Sequence, residues 1–110
     1  MPKKITEHDV QKWLSYLIRG TREVVIQNVG RVDILVKDDN FSYVIEVKSC
    51  KFFLHSIGQV LGYATALEEK NDSNVVIKII ALYDFIEVNN EKLNEINNIC
   101  KQNSIIPWYI

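Results

Sequence analysis

The sequence predicts one α/β domain in which a mixed central sheet is flanked by helices. Short runs rich in Val and Ile, interrupted by ionisable residues, are typical of buried strands. Three other segments carry apolar residues at the spacing of amphipathic helices. With 110 residues the chain has material for one hydrophobic core, so we expect residues 1–110 to form a single domain.

The first half of the chain is predicted to form a helix followed by three strands. Thr6 is the expected N-cap of the helix, which runs to about Arg19 and ends at Gly20. Residues 23–29 form the first predicted strand, and a polar hairpin at 38–40 joins the next two strands, which carry Asp33 and Glu46. The residues expected on the apolar face of the helix are Val10, Trp13, Leu14, Leu17 and Ile18.

The second half is predicted to continue as helix, strand, helix and strand. The second helix ends near Lys70 in a polar loop at 71–74, and 75–83 is the most apolar strand. Asn89 or Asn90 caps a third helix that runs to Lys101. The last strand is expected at an edge of the sheet, because Pro107 lacks a backbone donor.

Composition limits the class of protein. No apolar run approaches the roughly 18 residues of a membrane span, and no secretory signal opens the chain, so we expect an intracellular protein, in cytoplasm, nucleoid or nucleus. Cys50 and Cys100 lie far apart without zinc-ligand spacing and are expected to be buried thiols. The net charge of −1 argues against a strongly basic nucleic-acid binder, although basic residues are concentrated in 1–22.

Three ionisable residues are expected to meet at one edge of the apolar sheet. Glu46 and Lys48 are two apart on a strand and must point to the same face, and Asp33 on the neighbouring strand can join them. Two buried carboxylates are the hard oxygen ligands that Mg²⁺ prefers, and the Val47 carbonyl is a further candidate ligand. Lys48 beside the metal would position the water that attacks a phosphodiester.

With the following helix included, the pattern resembles the PD-(D/E)XK nuclease superfamily. Asp33 matches the first acidic residue of that family, and Glu46 with Lys48 matches its (D/E)-x-K pair. Gln59 and Tyr63 match the Gln-x-x-x-Tyr often found on the next helix. Two further correspondences are looser: Glu7 resembles the first-helix acid that helps to bind metal in many members, and Val32 stands where the family name has proline.

The resemblance implies a restriction-endonuclease-like αβββαβ core with an additional C-terminal helix and edge strand. It implies a DNA endonuclease that depends on Mg²⁺ or Mn²⁺ and needs no organic cofactor, with Asp33, Glu46, Lys48 and Gln59 as catalytic residues. The sequences of these motifs are most similar to those of compact Holliday-junction-resolvase-like members and of members found in viruses and mobile elements. The residues expected to contact nucleic acid are Arg31, Lys51, His55 and Tyr63.

The short chain has no room for long base-reading loops, so we expect selectivity for branched, flapped or single-stranded DNA. Cutting both strands in register would require a homodimer. Two alternatives stay open. One is a weak or inactive nucleic-acid-binding or assembly module of the same fold, and the other is a structural protein that self-associates through its Phe and Trp side chains.

Overall fold

The computed structural model of the chain describes residues 4–70 and 75–110. The predicted loop at 71–74 and residues 1–3 lie outside this part. The helices and strands follow in the order expected from the sequence, with short 3₁₀ turns at Cys50–Phe52 and Phe85–Glu87. They are α1 (Glu7–Ile18), β1 (Thr21–Ile26), β2 (Gly30–Lys37), β3 (Phe41–Ser49), α2 (Phe53–Lys70), β4 (Val75–Tyr83), α3 (Asn90–Gln102) and β5 (Ile105–Tyr109).

The five strands form one mixed sheet in the order β1-β2-β3-β4-β5. The first three strands are antiparallel, and β4 and β5 run parallel to β3. Pro107 lies opposite Ile80 on the edge strand β5, as its missing donor predicts. In the described residues no helix has the length and apolar character needed to cross a membrane.

Helices cover both faces of the sheet. On one face α2 and α3 pack over a core that contains Val44, Phe53 and Ile96, and both cysteines are buried thiols on this side. On the other face α1 packs over Ile45 and Val47 of β3. Because side chains alternate along β3, Glu46 and Lys48, two residues apart, are expected on the same side of the strand.

The first strand lies earlier than expected. It spans Thr21–Ile26 instead of 23–29, and the turn to β2 occupies 27–29. Thr6 caps α1 through a capping box with Asp9, as predicted. The helix ends at Ile18 with Arg19 as a cap in the left-handed conformation (φ 55°), directly before Gly20 and within one residue of the predicted end.

The buried face of α1 also differs from the apolar pattern. Trp13 is 54% exposed and Leu17 is likewise exposed, whereas Gln11 and Ser15 are buried beside Val10 and Leu14. The buried stripe is shifted because Gln11 takes part in a polar network beneath the helix, and apolar periodicity does not register such contacts.

Gly20 is required for close approach between the end of α1 and β2. A Cβ at this position would overlap Cγ2 of the fully buried Ile34 and lie 3.1 Å from Cγ2 of Val36. We expect Gly20→Ala to lower the free energy of unfolding by about 1–3 kcal/mol, measured by urea denaturation. Gly58→Ala is the control, because nothing lies within 4 Å of a Cβ there and alanine favours a helix. Equal stability of Gly20→Ala and wild type would contradict the packing described here.

Candidate active site

Two strands separate at Asp33, and this separation creates the site. The pairing between β2 and β3 begins with Lys37 opposite Ser42. It stops with Ile34 opposite Ile45. β2 nevertheless continues along β1 as far as Gly30. Asp33 and Glu46, the next residues on the two strands, therefore lie where the β2–β3 ladder has ended.

The two carboxylates take the place of the missing ladder. The backbone N–H of Asp33 donates to Oε2 of Glu46 at 2.8 Å, and the backbone N–H of Val47 donates to Oδ2 of Asp33 at 2.9 Å. Each acid thus accepts a hydrogen bond from the backbone of the opposite strand. The prediction that Asp33 and Glu46 meet in space is confirmed by these bonds.

Burial disfavours the simultaneous ionisation of the two carboxylates. Glu46 is only 2% exposed. Desolvation and then the charge of Asp33 raise the pKa of Glu46 from 4.5 to about 8, against the lowering effect of the Asp33 backbone N–H. Desolvation also raises the pKa of Asp33, against the Val47 N–H bond. The pair therefore favours a proton or another cation at neutral pH.

Lys48 and Glu7 complete the charged cluster. The Lys48 ammonium lies 3.4 Å from Oε1 of Glu7, which stands in the first turn of α1. The charge of Glu7 raises the pKa of both Asp33 and Glu46, whereas the charge of Lys48 lowers both pKa values. The four side chains therefore form one electrostatic cluster. The structure thus brings the three predicted core residues and Glu7 together.

A polar network that sequence reasoning missed lies behind Asp33. The side-chain oxygen of Gln11 accepts two hydrogen bonds from Arg22, and the Gln11 side chain lowers the pKa of Asp33. His8 Nδ1 lies 3.2 Å from Nη2 of the same guanidinium. The available signal was spacing, because Gln11 follows Glu7 by four residues and so shares its helix face.

Tyr63 does not lie where a nucleic-acid contact would place it. It is 7% exposed and belongs to the core on the α2 side of the sheet. A Cβ on Gly30 (φ 149°) would come within 2.9 Å of its hydroxyl, so the ring lies directly against the backbone at the start of β2. The burial argues against direct contact with DNA and gives Tyr63 the role of anchoring the start of β2.

The other predicted residues lie on the surface. Gln59, Arg31, Lys51 and His55 are all exposed. Lys51 is paired with Glu87 at 2.8 Å, and the His55 ring lies 6.1 Å from that of Phe52. An ion-paired lysine brings little net positive charge to a phosphate group. Arg31 is therefore a better candidate than Lys51 for contact with a nucleic-acid backbone.

The donor set fits a hard divalent cation with few protein ligands. Desolvation raises the pKa of both carboxylates, the charge of Asp33 raises that of Glu46 further, and the charge of Glu7 raises both, so a cation at this place would be stabilised. Within residues 4–70 and 75–110, no three His, Cys, Asp or Glu side chains form a group suited to hold a metal. Such a cation would therefore rely on two carboxylates, backbone oxygen and water, as Mg²⁺ commonly does.

Fold and site together define a mixed α/β domain with a five-stranded sheet and a buried carboxylate pair at a strand separation. Among solved structures, the chain is similar to an XisH family protein from Nostoc punctiforme PCC 73102. The TM-score is 0.57 with 18% sequence identity, and the match covers 93% of this chain and 88% of that one. Comparisons with protein-family models and with curated proteins gave no match. At this identity the likeness shows the fold alone.

Proposed function

We propose that the protein is a divalent-metal-dependent DNA endonuclease that hydrolyses phosphodiester bonds. The observation that carries the proposal is the reciprocal bonding of Asp33 and Glu46 where β2 leaves β3, with Lys48 two residues further along β3. Carboxylates held in this way by the backbone are fixed in place before any ligand arrives. Fixed acids of raised pKa in one cluster with a lysine are typical of catalytic sites.

The restriction-endonuclease-like fold is part of the proposal. The order α1, β1, β2, β3, α2, β4 is that of the αβββαβ core of this superfamily, and α3 with β5 would be additions to it. The acidic and basic side chains that match the family motif lie in one cluster. The similarity to the XisH family protein supports the overall architecture only.

Each residue of the cluster has a role in the proposed reaction. Asp33, Glu46 and the Val47 carbonyl would hold Mg²⁺ or Mn²⁺, which supplies Lewis acidity at the phosphate and a bound water of lowered pKa. Lys48 orients the attacking water and offsets the charge that develops on the phosphoryl oxygens. Glu7 keeps the Lys48 ammonium beside the carboxylates through its ion pair, and its part in binding metal stays a prediction from the family motif.

The surface around the cluster suits selection by DNA shape more than by sequence. Turns of three residues join β1 to β2 and β2 to β3, so these two connections offer little loop to enter a groove and read bases. Gln59 on the exposed side of α2 and Arg31 at the start of β2 are available to contact a backbone. Branched, flapped or single-stranded DNA is the proposed substrate, and a homodimer would supply the second site needed to cut both strands.

A cleavage assay tests the proposal. Wild type is incubated with Mn²⁺ or Mg²⁺ and with branched, flapped, single-stranded and linear duplex DNA, with EDTA as the metal-free reference. We expect cutting that requires the metal, and a loss of at least about 100-fold in Asp33→Asn, because an amide is a poor ligand for a hard cation. Asp39→Asn is the matched control, since Asp39 is an exposed aspartate in the β2–β3 hairpin.

The alternative function makes a different forecast in the same experiment. A nucleic-acid-binding or assembly module of this fold would shift DNA in a gel without cutting it at any metal concentration. Equal behaviour of wild type and Asp33→Asn in cleavage would end the endonuclease proposal. RNA oligonucleotides of the same shapes, run in parallel, decide between DNA and RNA.

A further inference from the structure

An open groove lies along the outer side of α1. It has a volume of about 650 Å³ and extends from Asp9 to Gly20 and to Arg22 at the start of β1. This volume falls within the roughly 300–1,000 Å³ of typical ligand clefts. A second hollow of about 590 Å³ reaches Arg19 and shares Tyr16 and Gly20 with the groove.

Two aromatic side chains line this groove instead of the core. Tyr16 is 84% exposed and Trp13 is 54% exposed, and the neighbouring Leu17 is exposed as well. Large apolar side chains are stabilised by burial, so a contiguous exposed set of them is typical of a binding surface. Because Trp13 and Tyr16 are three residues apart, their rings lie on the same side of α1 and can both stack on planar groups.

The groove also carries positive charge. Lys12 and Arg22 line it, and Arg19 lines the adjoining hollow. The ion pairs found within residues 4–70 and 75–110 all involve lysines elsewhere in the chain, so these three cations have no carboxylate partner there. Asp9, an acid that also lines the groove, accepts a hydrogen bond from the Thr6 backbone in the cap of α1. The groove is therefore suited to an anion.

Arg22 is held in a fixed orientation at the edge of the groove. Oε1 of the buried Gln11 accepts hydrogen bonds from Nε at 3.2 Å and from Nη2 at 2.8 Å, and Nδ1 of His8 lies 3.2 Å from Nη2. In the part of the chain that the structure describes, no acceptor is bonded to Nη1. A guanidinium fixed on one side with donors left over is well prepared to bind a phosphate oxygen.

We propose that this groove binds single-stranded DNA, with bases stacked on Trp13 and Tyr16 and phosphates paired with Lys12, Arg19 and Arg22. Aromatic rings together with unpaired cations are the elements of single-strand binding without sequence preference, because every base has a face to stack and every nucleotide a phosphate. The inference rests on the proposed endonuclease function and deepens it. It identifies the unpaired strand of a branched or flapped substrate as the part that the protein holds.

The groove lies next to the charged cluster. Arg22 is paired across the β1–β2 ladder with Ile34, the residue that follows Asp33. His8, which contacts Arg22, directly follows Glu7, a member of the cluster. A strand bound at Arg22 therefore passes beside the carboxylates that are proposed to hold the metal.

Fluorescence anisotropy with labelled oligo(dT) in EDTA measures binding without cleavage. We expect Tyr16→Ala to weaken binding roughly 5- to 150-fold, the range for the loss of one base–aromatic stack, and Tyr16→Phe to bind like wild type because it keeps the ring. Ile86→Ala is the matched control, since Ile86 is 85% exposed but lies in the turn after β4. If Tyr16→Ala binds as tightly as Ile86→Ala, the inference is overturned.

The salt dependence of the same binding tests the phosphate contacts. Lys12→Ala should reduce the slope of log Kd against log salt concentration by about 0.7, the value expected for one phosphate contact on a single strand. Lys101→Ala is the matched control, because Lys101 is also exposed but lies on α3, on the opposite face of the sheet. Equal slopes in the two variants would remove Lys12 from the binding surface and contradict the inference.

Two other occupants of the groove give different results. If wild type self-associates in sedimentation velocity, Tyr16→Ala abolishes this association and oligo(dT) binding is equal in both, the groove is an interface between copies of the chain and the inference is overturned. Oligo(rU) is compared with oligo(dU) in the binding assay. We expect the DNA strand to bind at least as tightly, and a clear preference for the RNA strand would overturn the assignment to DNA.

Binding in EDTA also separates this inference from the proposed function. If wild type binds oligo(dT), Tyr16→Ala weakens the binding and no metal supports cleavage, the groove is supported and the endonuclease proposal falls. If Tyr16→Ala cuts flapped DNA with the kcat and KM of wild type, the groove inference falls and the endonuclease proposal stands.

Discussion

Glu46→Gln is expected to be more stable than wild type at pH 8 in the absence of divalent cations. The pKa of Glu46 is raised from 4.5 to about 8 in the folded protein by desolvation and by the charge of Asp33. A folded state that holds its proton more tightly than the unfolded chain loses stability as pH rises from about 4.5 through 8. Glutamine stays neutral and still offers an oxygen to the Asp33 N–H, so it escapes this loss.

Thermal unfolding in EDTA from pH 5 to pH 9 checks this expectation. Each unit of pKa shift corresponds to roughly 1.4 kcal/mol, so the gain should reach a few kcal/mol, or at least about 5 °C in Tm, at pH 8 and vanish near pH 5. Glu69→Gln on the exposed end of α2 serves as the control and should show no such pH dependence. A variant less stable than wild type across the whole range would contradict the electrostatic account.

Mn²⁺ should reverse the order of stability. Ligand binding to the folded state alone raises the stability of wild type, while Glu46→Gln lacks one of the proposed ligands and should gain little. The same substitution is expected to remove cleavage. Higher stability together with lost activity would mark Glu46 as a residue kept for chemistry at the expense of the fold.

Lys48→Ala is expected to reduce cleavage by about 10²- to 10⁴-fold while the protein stays folded. The ammonium is held 3.4 Å from Glu7 beside the carboxylate pair, where it can contact the attacking water. Alanine removes this group and leaves the backbone bonds of Asp33 and Glu46 in place. Single-turnover cleavage at saturating Mn²⁺ measures the chemical step without interference from product release.

The matched control for Lys48→Ala is Lys92→Ala. Lys92 also pairs with a glutamate and is similarly exposed, but it lies on α3 over Phe53, away from the cluster. Both variants should keep Tm within a few degrees of wild type when Mn²⁺ is present, because exposed ion pairs contribute little stability. If Lys48→Ala cleaves DNA at the same rate as Lys92→Ala, Lys48 takes no part in the proposed reaction.

The arrangement of helices and strands could be predicted because local signals agree with it. Thr6 and Asn89 are N-caps as expected, and the polar 38–40 segment turns the chain between the two charged strands. Asp33 and Glu46 were identifiable because few apolar strands carry acids. These signals depend on residues close in sequence, so they can be recognised without knowing which distant residues meet in the fold.

The remaining parts of the site depend on contacts between distant residues. Gln11 is buried where it accepts two hydrogen bonds from Arg22, and no single-residue property of glutamine predicts such burial. Tyr63 was expected at the DNA surface from its motif, yet it faces the glycine that starts β2. The β2–β3 pairing ends at Ile34 opposite Ile45, and hydrophobic patterning does not encode where such a pairing ends.

The reciprocal bonds of Asp33 and Glu46 limit the substitutions that these two positions tolerate. Each acid closes a gap in the backbone pairing, apart from its part in the proposed reaction, so truncation to alanine would leave the amide hydrogens of Asp33 and Val47 without acceptors. Asparagine and glutamine keep those acceptors. We therefore expect related sequences that lack the proposed catalysis to carry amide side chains at these two positions, because the fold still needs the acceptors.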